Sequence, residues 1–217
     1  FVLLALFICK IADAQDHPNI IVIYTDDQGY GDVSALNPGS KFQTKHIDRI
    51  AHEGIIFSDG HCSATSCSPS RYGLLTGRYS WRTSLKRGVL QADGECLIKE
   101  GRTTLATLCK KAGYRTAMVG KWHLGMQYPG TKGDRDWSQP VTDGPNDKGF
   151  DYFFGLAASM NFGILTYTEN DHVTEMPSKW TDKKHDNDPY TDFRFTPPYD
   201  DEPLNERYVE VAPSFRD

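Results

Sequence analysis

Apolar residues along this chain fall into short runs separated by polar, glycine- and proline-containing connections. Asn19 to Thr25 (N-I-I-V-I-Y-T) is a continuous apolar run rich in β-branched residues, the pattern of a buried parallel strand. His46 to Glu53 places Ile47, Ile50 and Ala51 on one helical face and is closed by Gly54, and a short strand is expected at Ile55 to Ser58. Thr103 to Ala112 reads as a second amphipathic helix ended by Gly113, and Tyr114 to Val119 as an internal strand. The aromatic stretch Gly149 to Gly155 is expected in the core. Strands alternating with helices predict an α/β fold, a mixed and mostly parallel sheet sandwiched by helices.

Two stretches lack this order. Gly125 to Lys148 is rich in Gly, Pro, Asp and Lys without periodicity, and reads as a loop or lid. Residues 166 to 206 are polar, acidic and proline-containing, the mark of a functional loop or of a region that packs on a missing partner.

A chain of 217 residues suits one or at most two domains. Its net charge of −5, with no long Lys/Arg run, argues against nucleic acid as a partner. An anionic substrate then needs a local positive pocket. Phe1 to Cys9 is apolar and is followed by Lys10 and Ala12-Asp13-Ala14, a small-x-small cleavage pattern. Residues 1–14 are read as a signal peptide whose start is missing, with residues 15–217 as the mature chain. The apolar run is too short for a stable membrane span. Export implies a periplasmic or extracellular location, lysosomal in a eukaryote. With Cys67 committed to chemistry, Cys62, Cys96 and Cys109 allow at most one internal bridge, and the pair stays open.

The densest chemistry lies at Cys67-Ser68-Pro69-Ser70-Arg71, continuing through Leu74-Leu75-Thr76-Gly77-Arg78. Pro69 suits a first helical turn, with Ser68 expected as N-cap and Cys67 at the helix mouth. Unpaired N–H groups and the positive dipole end there favour an anion and a thiolate, and Arg71 one turn on adds a fork of donors. The plainer alternative is a structural cysteine at a buried helix start, with Arg71 on the surface. Asp26 and Asp27 follow the first apolar run, where ligands gather at the carboxyl ends of α/β strands. They are hard oxygen donors of the kind Ca²⁺ or Mg²⁺ takes, and as a lone pair would equally be solvated turn residues. In Gly120-Lys121-Trp122-His123-Leu124-Gly125, persistent extended geometry puts Lys121 and His123 on one side, flanking one anion. Either alone would be an ordinary surface lysine or partly buried histidine.

C-S-P-S-R with L-L-T-G-R, the strand-terminal Asp26-Asp27 pair and G-K-W-H-L-G together resemble the signatures of the type I sulfatases, in the alkaline-phosphatase-like superfamily. The resemblance covers Asn19 to about Gly155. It implies that Cys67 is oxidised to formylglycine by a formylglycine-generating enzyme, and that the hydrated aldehyde serves as nucleophile toward a sulfate monoester. It further implies Ca²⁺, with Mg²⁺ second, held by Asp26, Asp27 and the group derived from Cys67. Arg71 and Lys121 would stabilise sulfuryl charge, His123 would handle protons, and Ser159 would line the pocket. The substrate is expected to be a sulfated small molecule or carbohydrate. The family site needs a second Asp-Asn or Asp-Gln pair, another lysine and another histidine, and none has a convincing counterpart here. The expectation is therefore a partial N-terminal catalytic domain over residues 15–217, with little activity alone. A phosphate or phosphonate hydrolase of the same superfamily, and an inactive chain acting as a binding module, are the other readings.

Overall fold

A computed structural model describes residues 18–160, 162–182 and 208–211. The expected signal peptide lies outside the described residues. The chain divides into two units, residues 1–58 and 59–217.

In the first unit, helix α1 (Lys45–Glu53) confirms the periodic reading and ends at Gly54. Its Asp48 accepts hydrogen bonds from Ser34 Oγ at 2.5 Å, Thr44 Oγ1 at 2.7 Å and the Ala35 amide at 2.9 Å. Those donors, Ser34 first, hold its carboxyl below the usual range. The two expected strands are not formed. Residues 19–25 and 55–58 carry no ladder pairing among the described residues, and Ile20, Ile21, Val22 and Ile23 are 58, 83, 54 and 76 % exposed. A buried strand needs neighbours to take its N–H and C=O groups, and no described segment pairs with this run.

The second unit opens with helix α2 (Cys67–Thr76), stopped by Gly77 in the left-handed conformation at φ 64. Helix α3 (Leu105–Lys111) follows, capped by Thr104, whose hydroxyl accepts from the Thr107 amide while Thr107 Oγ1 accepts from the Thr104 amide. Strand β1 spans Ala117–Lys121, two residues beyond the expected end at Val119. After the hairpin β2 (Gly130–Thr131) and β3 (Asp134–Arg135) comes β4 (Tyr152–Leu156). Next in the chain are β5 (Ile164–Leu165), β6 (Tyr167–Glu169), β7 (His172–Val173), β8 (Lys179–Asp182) and β9 (Tyr208–Val211).

The main sheet is mixed, in the order β1-β4-β6-β7. Strands β1 and β4 are parallel, pairing Ala117 with Tyr152 through Lys121 with Leu156, and β6 and β7 add antiparallel. A three-stranded sheet runs β5-β9-β8. At the register partner of Gly120, a Cβ on Gly155 would lie 1.8 Å from the Gly120 carbonyl oxygen, so only glycine fits.

The core forms around Trp122, Leu124, Met126 and Phe153, all fully buried, with Leu97, Ile98 and Ile164. The stretch Gly125 to Lys148, expected as a loop or lid, is packed instead. Met126, Tyr128 and Val141 belong to the core, and Arg135, 4 % exposed in its side chain, pairs with Asp93 at 2.5 Å and lies over the Tyr128 and Trp137 rings. Its apolar residues are too sparse to show a period, yet each finds a slot because a cation and two rings pin the hairpin. No helix among the described residues is long and apolar enough to cross a membrane.

Candidate active site

Helix α2 begins two residues earlier than the sequence suggests. Ser66, with extended φ −127 and ψ 159, is the N-cap, so Cys67 is the first helical residue and Pro69 the third. Ser68 is fully buried and does not cap; its Oγ accepts from the Leu90 amide at 3.0 Å. Ser70 Oγ donates to the Cys67 carbonyl at 3.0 Å and steadies the first turn. Cys67 is half-buried, at the end of the helix where unpaired amides and the dipole favour negative charge. Cys96 contrasts with it, a core thiol that burial pushes up to about 11.

Strand β1 delivers Lys121 to this helix end. Its Nζ lies 3.4 Å from Cys67 Sγ and 3.1 Å from Ser159 Oγ. Ser159 arrives because the parallel pairing continues past the strands: the Trp122 amide donates to the Leu156 carbonyl at 2.9 Å and the His123 amide to Ala157 at 2.8 Å. Lys121 and Ser159 thus sit side by side at the carboxyl ends of two parallel strands, where α/β folds place ligands. Arg71, one turn along α2, donates from Nη1 to the Lys121 carbonyl at 2.5 Å and ties the strand end to the helix.

Extended geometry does not persist to His123. The strand ends at Lys121, and His123 has φ 55, so its ring turns to the Leu90 carbonyl, 2.8 Å from Nε2, and packs on Phe162 with centroids 4.8 Å apart. A carbonyl only accepts, so Nε2 carries the proton in this contact. Leu90 is thereby held at both polar groups, by Ser68 from the helix and His123 from the strand loop. Sequence reasoning missed this lock, since a backbone partner leaves no residue-type signal. The rest of the hexapeptide is packing: Trp122 and Leu124 are fully buried, and a Cβ at Gly125, φ 86, would lie 2.4 Å from the Gly94 carbonyl oxygen.

The structure thus brings together Cys67, Arg71, Lys121 and Ser159, the serine named by the resemblance, and joins His123 to them through Leu90 and Ser68. Asp26 and Asp27 belong to the first unit, where both are exposed and Asp27 has φ 57. Among the described residues no three or more His, Cys, Asp or Glu side chains cluster as metal ligands.

The sequence model of the Sulfatase family matches residues 18–211. The chain belongs to the sulfatase family. It is 40 % identical over 156 residues to an N-acetylgalactosamine-6-O-sulfatase of Bacteroides thetaiotaomicron, covering 72 % of this chain and 30 % of that protein. It is 35 % identical over 214 residues to arylsulfatase G of Rattus norvegicus, covering 91 % of this chain and 37 % of that protein. A structure solved in work on glycosaminoglycan metabolism by Bacteroides thetaiotaomicron matches with TM-score 0.66 and 38 % identity, over 77 % of this chain and 35 % of that one. The mixed sheet with helices is accordingly the alkaline-phosphatase-like fold of the sulfatases. This sulfatase chain spans about a third of the length of the curated relatives named.

Proposed function

We propose that the protein hydrolyses sulfate monoesters, and that position 67 is the nucleophile once its thiol has been converted to formylglycine. The observation that carries this reading is the Lys121 ammonium placed between Cys67 Sγ and Ser159 Oγ at a helix N-terminus. Sulfatases generally depend on formylglycine and a metal. After conversion, the hydrated aldehyde supplies the oxygen nucleophile toward sulfur.

The chain's own residues prepare that chemistry. Lys121 acts as a point cation toward the sulfuryl oxygens, held in place by its contacts to positions 67 and 159. Arg71 fixes the lysine by gripping its carbonyl and adds a second positive charge. His123 is proposed to assist proton handling from a ring oriented by Leu90. Asp26 and Asp27 are the proposed ligands of Ca²⁺, whose contribution would be to neutralise sulfuryl charge. Hard carboxylate oxygens suit that ion, but two residues fall short of the six to eight oxygens it takes. Export directed by residues 1–14, maturation by a formylglycine-generating enzyme and a sulfated substrate complete the proposal.

Full-length protein co-expressed with a formylglycine-generating enzyme tests it. Mass spectrometry of the Cys67 peptide should show the aldehyde, and 4-nitrophenyl sulfate should be cleaved faster than 4-nitrophenyl phosphate. Lys121→Ala should lower turnover about 10²-fold or more at unchanged Tm. Unmodified thiol alone would sink the formylglycine reading, and a preference for the phosphate ester would move the protein to phosphate chemistry.

A further inference from the structure

Apart from the Leu90 backbone that holds Ser68 and His123, the connection leaving α2 supplies none of the site residues above, yet its chemistry is lopsided. From Arg71 to Ala92 the chain carries Arg71, Arg78, Arg82, Lys86 and Arg87 with no Asp or Glu, inside a chain of net charge −5. Arg82, Lys86 and Arg87 are exposed, and none of Arg78, Arg82, Lys86 and Arg87 joins an ion pair among the described residues. Among them Tyr79 and Trp81 stack face on face, with centroids 4.0 Å apart and planes at 12°, and remain 46 and 50 % exposed.

The turn that presents these rings is fixed. Ser80 between them is buried, Thr83 Oγ1 donates to the Ser80 carbonyl at 2.6 Å, and Lys86 Nζ donates to the Trp81 carbonyl at 2.7 Å. The route of the connection is fixed as well. It leaves the C-terminal end of α2, about 15 Å from Cys67 for a ten-residue helix, and returns to the helix start where the Leu90 amide meets Ser68. The cations are therefore strung along the return path to Cys67.

We propose that Tyr79, Trp81, Arg82, Lys86 and Arg87 form an extended subsite for a sulfated polysaccharide. Half-exposed rings offer flat apolar faces to sugar rings, and unpaired cations at intervals match sulfates repeated along a polymer. Nucleic acid would use the same kinds of group and meet the same acidic surface; the sulfated polymer is favoured because the segment belongs to a sulfatase-family chain and returns to the helix start that carries Cys67. Which sulfate is cut rests on the sulfatase reading; binding of the polymer does not.

The test uses unmodified protein, so that binding is read without turnover. A chondroitin 6-sulfate decasaccharide should bind in a salt-sensitive way and quench tryptophan fluorescence, and its desulfated counterpart should bind far more weakly. Trp81→Ala and the double variant Arg82→Glu/Arg87→Glu should each weaken binding about tenfold, the size of losing an anchor residue, with Trp81→Phe restoring much of it. The double variant, built on exposed side chains, decides the matter if Trp81→Ala fails to fold. In formylglycine-bearing protein the same variants should raise KM for the decasaccharide and leave kcat/KM for 4-nitrophenyl sulfate unchanged. Unchanged decasaccharide binding in the double variant would overturn the subsite. So would an equal loss on 4-nitrophenyl sulfate, or a dT15 oligonucleotide bound as tightly and with the same sensitivity to the variants. Decasaccharide binding with no cleavage of either ester would leave the subsite standing and remove the sulfatase reading instead.

Discussion

The run Ile20 to Ile23 is wholly apolar and the segment Met118 to Leu124 carries Gly120, Lys121 and His123 among its apolar residues, yet it is the second that is packed. The first is exposed along its length, with no ladder among the described residues; the second is paired to β4 and delivers Trp122 and Leu124 to the buried core. The difference lies in their neighbours. Strand β1 has a partner whose Gly155 lets the backbones approach, a continued ladder through Leu156 and Ala157, and Leu97 bonded to the Leu124 carbonyl. Hydrophobicity makes burial favourable, but a strand is buried only when its polar backbone is also satisfied.

Three substitutions probe that contrast, beginning with the largest effect. Phe153→Ala empties a fully buried position and should cost about 3–5 kcal/mol in denaturant unfolding, against about 0.5 kcal/mol or less for Ile21→Ala at an 83 % exposed site. Comparable losses at the two positions would break the comparison and show the first run to be buried in solution. Gly155→Ala drives a methyl into the Gly120 carbonyl and should cost about 1–3 kcal/mol, with Lys121 displaced and turnover reduced alongside. A neutral result would mean the β1–β4 pair can spread apart without penalty.

The smallest effect concerns acid. Asp151 sits 2.6 Å from Lys110 Nζ and accepts from the Thr116 amide, and these partners, the lysine first, lower its carboxyl from 3.8 to about 2. Because the folded value lies below the unfolded one, the stabilisation is complete above about pH 4 and is lost as pH falls through about 2. Asp151→Asn should therefore be less stable at neutral pH and lose less stability between pH 4 and 2. Parallel pH curves for the two proteins would detach Asp151 from the anchoring of α3 to β1.

Much of the site was legible because its motifs are short and local. Cys67 and Arg71 are one helical turn apart, so their adjacency follows from helix geometry once Pro69 and Gly77 bracket the segment. Helix α1 was equally legible, from an apolar period and a terminal glycine. The two-residue displacement of β1 was not, because the pairing of Lys121 with Leu156 extends the strand and no local propensity records it. The divergence of Lys121 from His123 was hidden for the same reason, since it depends on one left-handed residue held by the Ala157 and Leu90 carbonyls.

By itself, then, the sequence determined which residues are the candidates for the chemistry, through the C-S-P-S-R and G-K-W-H-L-G patterns, and that helices and strands alternate. Tertiary structure alone decided that Lys121 reaches Cys67 across 54 positions of chain, that its Nζ lies 3.1 Å from the Oγ of Ser159, which the resemblance had named, and that His123 looks to Leu90. The reason is physical. Periodicity and capping act within a few residues, whereas the meeting of a helix start with two strand ends is set by register, and register depends on long-range pairing and packing.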